Sequence, residues 1–390
     1  MRKVAVVGTG QTVHGRRKDV SFPDLIYEAV KKALDDAELN IEEIDAVVSG
    51  SMPAPMEGTN APHLWWADAL GARSKPLMRI ATCGTTGMSI AHSAYYHVAS
   101  GLFDVVLALG AEKMYENDPQ ATMSTIAEPF FQRKFITGAP VIFSFQCNEY
   151  TYRYKLPEER VRHAAAMLSV RNHTDAFDNP YAHIKMKITI DDVLKSRIIA
   201  YPIRFLDVCP ASDGACAVIF ASEDKAKKIT DNPVWVKGVG YAGDEYWMGD
   251  SDKVQWESAI IAARKAYKMA GIENPLKQFD VAEVYNPFTY QELIYYECFG
   301  FCEKGEAYKL VEEGTVMKDG ELPCDPSGGV LCTNPIGATA LIRVAEAALQ
   351  IMGKAGKHQI PDVETAFASG MGGLNQLNGV MILGKSLGKR

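Results

Sequence analysis

The sequence predicts an α/β fold made of two repeated halves with an inserted segment between them. Three observations predict it. An apolar strand closed by Gly-x-Gly occurs twice, the elements after each copy recur at a near-constant offset, and the intervening stretch is polar, aromatic-rich and poor in strand patterns. Self-similarity on this scale marks a duplicated supersecondary unit, and alternating strands and helices mark layered α/β architecture.

The first copy opens with Val4-Ala5-Val6-Val7-Gly8-Thr9-Gly10, and Val234-Trp235-Val236-Lys237-Gly238-Val239-Gly240 recurs 230 positions later. Residues 25–39 then carry apolar side chains at helical spacing (Leu25, Ile26, Ala29, Val30, Ala33, Leu34, Ala37), as do residues 260–272. Lys32-Ala33, Ala37 and Leu39 correspond to Lys265-Ala266, Ala270 and Ile272 at an offset of 233. A second strand follows in each half, at 44–48 and 279–284, where the offset has grown to 235. The third round predicts an Ala-rich helix over 85–99 with a strand at 104–109, matched by a helix over 336–352 and a final strand at 380–383. The expected organisation is a first half of residues 1–114 and 206–230, an inserted loop or lid domain of 115–205, and a second half of 231–390.

Composition narrows the class. The chain has 390 residues, 47% of them hydrophobic, enough for a large core. Its net charge of −7 gives no footing for nucleic acid. No apolar run reaches the roughly 18 residues of a membrane span, and the apolar N-terminal stretch stops at Gly8, too soon for a signal peptide. A cytoplasmic protein without a membrane anchor is expected. The eight cysteines form no C-x-x-C pair, and Cys298 with Cys302 lacks a second pair at zinc-site spacing, so no metal site is expected. The segment 131–204 holds 12 Lys/Arg against 7 Asp/Glu in an otherwise acidic chain. A polyphosphate ligand would explain that balance, and so would a solvated helical lid.

Ile80-Ala81-Thr82-Cys83-Gly84-Thr85-Thr86-Gly87 places a cysteine where a strand gives way to a helix. Unpaired N–H groups and the positive end of the helix dipole favour thiolate there, so its pKa is expected below the free value of about 8.5. The equivalent helix of the second half starts at Cys332-Thr333-Asn334-Pro335-Ile336-Gly337. If the halves pack about an approximate two-fold axis, the helix starts bearing Cys83 and Asn334 meet in one cleft, suited to an anionic tetrahedral intermediate. His92 and His97 read as packing residues of the helix after Cys83. His63-Leu64-Trp65-Trp66 reads as core or dimer-interface packing, or as an aromatic wall around an acyl group.

These segments resemble the thiolase superfamily, in particular its sterol-carrier-protein-linked and archaeal branch. Further markers are Gly110-Ala111-Glu112-Lys113-Met114, Arg171-Asn172-His173, Asn179-Pro180-Tyr181-Ala182-His183, the run from Pro202 to Ala215 that includes Asp207-Val208-Cys209-Pro210, and Asn334-Pro335-Ile336-Gly337-Ala338-Thr339. The resemblance implies two βαβαβαββ halves in a five-layered αβαβα sandwich, usually dimeric. It implies acylation of Cys83, with coenzyme A as co-substrate and no permanently bound cofactor. In the family a His-Pro pair occupies the place of Asn334-Pro335, and an acid/base cysteine or histidine lies in the glycine-rich loop where this chain has Ser369-Gly370-Met371. The oxyanion-hole motif corresponds to Tyr285-Asn286-Pro287-Phe288.

The implied catalytic set is therefore Cys83, Asn334 and Ser369, with Tyr285, Asn286, Gly370 and His173 binding substrate or oxyanion. His173 and His183 are candidates for the missing base. Asparagine can donate to an oxyanion but cannot take a proton at neutral pH. Two readings follow: a thiolase acting on a β-ketoacyl-CoA, with a bulky or aromatic substrate such as 2-benzoylsuccinyl-CoA as the narrower expectation, or a thiolase-like acyl-CoA-binding or acyltransferase subunit of a larger complex without independent catalysis. A ketoacyl-synthase-like role is a third. The expected partners are acyl-CoA and CoA, a second copy in a homodimer, and a small zinc-ribbon/OB-fold subunit.

Overall fold

A computed structural model describes residues 2–52, 56, 58–134, 138–247 and 249–387. Its main sheet contains β1 (Val4–Gln11), β2 (Ala46–Gly50), β3 (Leu77–Ile80), β4 (Val105–Lys113), β5 (Asp213–Ser222), β6 (Val234–Gly243), β7 (Val281–Glu283), β8 (Thr365–Gly372) and β9 (Leu377–Gly384). The order is β3-β2-β4-β5-β1-β6-β9-β8-β7. Strand β2 runs parallel to β3 and β4, and β8 parallel to β7, while the remaining neighbours are antiparallel. Reading outward from the centre, β1-β5-β4-β2 and β6-β9-β8-β7 are the same succession of equivalent elements. The duplication read from the sequence is thus a mirrored strand order about the β1–β6 junction, with one correction: the counterpart of the strand at 104–109 is β8, and residues 380–383 lie in β9, the counterpart of β5. That junction is narrow, pairing Ala5 with Trp235 and Val6 with Val234.

Helices complete five layers. Helix α1 (Phe22–Ala37) covers the outer face of the first-half strands, and α5 (Glu257–Ala270) that of β6 and β9. Between the two sets of strands lie α2 (Thr86–Ala99) and α7 (Ile336–Met352), packed on each other. The insertion supplies α3 (Ala139–Arg153) and α4 (Glu158–Asp175), and α6 (Thr289–Cys298) packs on both.

The sequences explain these assignments. Helix α1 is amphipathic, with Ser21 and Asp24 forming a capping box at its start. Helix α7 is apolar nearly all round because it is surrounded by protein, and it ends at Gly353 in the left-handed conformation. The central helices touch backbone to backbone. A Cβ on Gly87 of α2 would lie 2.3 Å from the Leu341 nitrogen of α7. This absence of a side chain brings the two helix starts together.

Polar residues inside the core form an ion-pair cluster behind those starts. Arg171 pairs with Glu292 at 2.5 Å and Asp325 at 3.5 Å, and Arg343 pairs with Glu283 and, at 3.8 Å, with Asp325. Among the described residues no helix is long and apolar enough to cross a membrane.

Candidate active site

Cys83 sits on the turn between β3 and α2 at φ +57°, in the left-handed region. A non-glycine residue there costs about 1 kcal/mol or more and persists only where its surroundings impose it. Here the Thr82 N–H donates to Thr86 Oγ1 at 2.9 Å, and that hydroxyl and the Thr86 N–H both donate to the Cys83 carbonyl, at 2.6 and 3.0 Å. Gly84 is required next to it. A Cβ at that position would lie 2.5 Å from the Met371 carbonyl and 2.8 Å from the Tyr285 hydroxyl. Gly84→Ala should therefore lower kcat/KM at least about tenfold by displacing the Cys83 turn, and cost about 1–3 kcal/mol of stability through the clash. Steady-state kinetics beside a melting curve checks this.

The electrostatics of Cys83 correct the expectation of a depressed pKa. Burial pushes the thiol above its ordinary value, and the Gly373 backbone N–H opposes this in part. Helix α2 begins three residues later, at Thr86, and the sulfur packs among Met52, Met114, Met123 and Ile336. Apolar surroundings disfavour the anion more than the displaced helix terminus favours it.

Asn334 lies on the turn entering α7. Its Nδ2 donates to the Cys209 sulfur at 3.2 Å, and its Oδ1 accepts from the Thr339 hydroxyl at 2.8 Å. The Thr339 hydroxyl, donating to Oδ1, matches this orientation of the amide. The Tyr285 ring is buried, and burial raises its hydroxyl pKa, with Thr339 bonding to it in partial opposition. Cys83, Asn334, Tyr285 and Cys209 together line one cavity of about 100 Å³.

The structure does not bring the other expected residues to that cavity. Ser369 lies in β8 and accepts the Tyr285 N–H at 2.9 Å. Asn286 donates to Glu292 Oε2 at 2.9 Å and Asn172 Oδ1 at 3.2 Å, and accepts from the Val330 N–H at 2.8 Å. Gly370 packs under Ala340 and Met88. His173 is buried in α4 with Nδ1 at 2.8 Å from the Ser169 carbonyl, and burial lowers its pKa. His183 turns to Ser212 Oγ at 3.0 Å. Sequence reasoning missed Cys209. Its one signal was a cysteine before proline in the stretch entering β5.

The cationic excess of the insertion is also redistributed. Arg153 meets Asp252, Arg160 meets Glu312, and Arg171 is buried on Glu292, so several of those charges are neutralised by residues distant in the chain.

Comparisons with known proteins place this two-half α/β sandwich among acyltransferases. Residues 4–224 match the family model for the thiolase N-terminal domain, and residues 240–385 that for the thiolase C-terminal domain-like family. The chain is 35% identical over 379 residues to the acetyl-CoA acetyltransferase of Methanothermobacter thermautotrophicus, covering 96% of this chain and 97% of that protein. It is 30% identical over 367 residues to the benzoylsuccinyl-CoA thiolase subunit BbsB of Thauera aromatica, covering 93% and 92%. Among solved structures, the Ltp2-ChsH2(DUF35) aldolase superposes with a TM-score of 0.84 at 23% identity, covering 100% of this chain and 99% of that one. Human mitochondrial 3-ketoacyl-CoA thiolase in complex with CoA gives 0.74 at 17%, covering 99% and 98%. These two show a shared fold. The chain belongs to the thiolase family.

Proposed function

We propose that this enzyme cleaves, or in reverse forms, a β-ketoacyl-CoA through an acyl-Cys83 intermediate. The observation that carries the reading is the pinned Cys83 turn facing the same cavity as the Asn334 amide. Cys83 sulfur attacks the keto carbon, and the second Nδ2 hydrogen of Asn334 and backbone N–H groups of the 83–84 and 373 turns are the donors offered to the tetrahedral oxyanion. The carbon–carbon bond breaks, and the acyl group passes from Cys83 to the sulfur of CoA. Ser369, which accepts the Tyr285 N–H, acts in this reading as a support of Tyr285, while Asn286, Gly370 and His173 serve packing and the buried hydrogen-bond network. Intact mass after exposure to a short β-ketoacyl-CoA should show one acyl adduct, mapped to Cys83 by peptide analysis. CoA binding without an adduct would instead favour the acyl-CoA-binding subunit.

The proposal extends to the acyl group. Among the described residues lining the cavity none is charged, and the adjoining sequence at 53–55 and 135–137 contains no Lys or Arg. Methionines 52, 114, 123 and 371 supply an adaptable apolar wall. A dry cavity of about 150 Å³ holds benzene, so a cavity of about 100 Å³ takes an uncharged group smaller than one ring, an acetyl or short branched chain. The benzoyl part of 2-benzoylsuccinyl-CoA would enter only with repacking of the methionine wall. A terminal carboxylate there would be buried without a partner, at a cost of several kcal/mol. Neutral β-ketoacyl-CoAs should therefore exceed dicarboxylic ones at least about 100-fold in kcat/KM, with Met123→Arg narrowing the ratio. Equal rates would overturn this assignment.

Residues 115–205 are proposed as the lid of the site, since Met123, Ile142 and Phe143 contribute to the cavity wall. A homodimer is proposed across β3, one of the two edge strands, where Met78 is half exposed. A small zinc-ribbon/OB-fold subunit is the proposed further partner, supported by the words "subunit" and "DUF35" in the names of two similar proteins. The proposed compartment is the cytoplasm.

A further inference from the structure

We propose that Cys209 is the proton-transfer group of this site, the part for which the sequence pattern offered Ser369. The inference rests on the thiolase reading of Cys83 and goes beyond it by naming where the proton comes from and returns.

Three observations carry it. First, the described residues lining the cavity include four side chains with a thiol or hydroxyl proton, Cys83, Tyr285, Cys209 and Ser124; Cys83 is occupied as nucleophile, and the Ser124 hydroxyl donates to the Ala121 carbonyl at 2.7 Å. Second, Cys209 and Asn334 are held as a pair. The Cys209 N–H donates to the Pro287 carbonyl at 2.9 Å, and Ser212, three residues on, exchanges two bonds with the Asn334 backbone, at 3.1 and 3.2 Å. Third, the Thr339 hydroxyl on Asn334 Oδ1 leaves Nδ2 as the atom facing Cys209. The sulfur is thereby an acceptor, and its own S–H finds no acceptor among the described residues. Tyr285 is the weaker alternative, because its hydroxyl is wedged against the Gly84 backbone and already bonded to Thr339.

The chemistry closes. The cycle runs from the Cys83 thiolate, the minor form of a thiol whose pKa burial raises, its proton having passed to solvent. The thiolate bonds to the keto carbon, and the bond from that carbon to the thioester α-carbon breaks. The electron pair left on the α-carbon takes the S–H proton of Cys209. The resulting Cys209 thiolate, stabilised by the Asn334 N–H, then takes the proton of the incoming CoA thiol. CoA thiolate attacks the acyl carbonyl and expels Cys83 thiolate, and both cysteines return to their starting states. In the reverse direction Cys209 thiolate removes the α-proton. Burial pushes the Cys209 thiol up to about 12, with the Asn334 bond pulling the other way. That suits a neutral donor at rest which readily takes a proton from a CoA thiol afterwards.

The test separates this step from acylation. Transfer of acetyl from acetyl-CoA to Cys83 breaks no carbon–carbon bond and needs no α-proton. Wild-type enzyme in deuterium oxide should both acquire the acetyl adduct by intact mass and exchange the α-hydrogens of acetyl-CoA. Cys209→Ala should still reach the full adduct at end point, because a CoA thiolate can leave without an acid's help, though more slowly, since Cys209 protonates it in the reverse of deacylation, while exchange of the α-hydrogens falls by roughly 10²–10⁴-fold. Cys209→Ser, nearly the same size and still able to accept the Asn334 N–H, guards against a packing defect and should lose exchange by at least about 100-fold while melting as wild type does. Exchange at the wild-type rate in the serine variant overturns the assignment to Cys209. Absence of any adduct in the wild type overturns the thiolase reading itself.

Discussion

With Cys83 replaced by alanine, acyl transfer should fall by roughly 10⁴–10⁶-fold, the scale on which removal of a covalent nucleophile acts, and the acyl adduct should vanish. The fold should survive, because the Cys83 side chain makes apolar contacts at the edge of a small cluster rather than in the main core. A glycine at the same place sharpens the expectation. Cys83 holds φ +57°, a conformation glycine adopts freely, so Cys83→Gly should be as inactive as the alanine variant yet hold or gain up to about 1 kcal/mol in stability. Urea unfolding beside a thiolysis assay reads both numbers. Turnover above a hundredth of wild type in either variant would remove the covalent intermediate from the mechanism. A loss of several kcal/mol in the glycine variant would show that the turn is not strained.

The sequence makes the fold legible because duplication is a one-dimensional signal: Gly8 and Gly238 face Ala37 and Ala270 in the same way, each admitting a helix onto a strand. It makes Cys83 and Asn334 legible for the same reason, as equivalent helix starts. It fails where position depends on depth. Ser369 and Met371 share one face of β8, but the residue two steps further along reaches the cavity and Ser369 stops beneath the Tyr285 N–H. Tyr285 and Asn286 are adjacent, yet one lines the cavity and the other is consumed by Glu292, Asn172 and Val330. The thiol pKa was misjudged because the dipole argument is local and burial is not: the methionines that desolvate Cys83 come from positions 52, 114 and 123. The charge of the insertion was likewise balanced by acids at 252, 292 and 312.

The ion-pair cluster behind the site should dominate stability. Arg343 is fully buried in α7 and its Nη1 bonds Glu283 and Ser327 Oγ, the latter at 2.8 Å, with Asp325 at 3.8 Å. Replacing it by methionine leaves two carboxylates in the interior without that cation, and such a loss costs about 3–5 kcal/mol. The pH dependence gives the cause away. Burial, with neighbouring carboxylates adding to it, raises the pKa of Glu283 and Asp325 above the ordinary range. A carboxyl whose folded pKa is raised binds more protons folded than unfolded, so its stability contribution is best at low pH and is lost as pH rises through the folded value. Without Arg343 both shifts grow, so Arg343→Met should lose clearly less stability at pH 5 than at pH 7. Urea titrations at the two pH values measure this. Equal losses would mean packing, not charge, is what Arg343 supplies. Activity should fall too, because Asp325 Oδ1 accepts the Val284 N–H at 2.8 Å, so the same cluster that holds β7 in place sets the height at which Tyr285 meets Gly84 and, through it, the Cys83 turn.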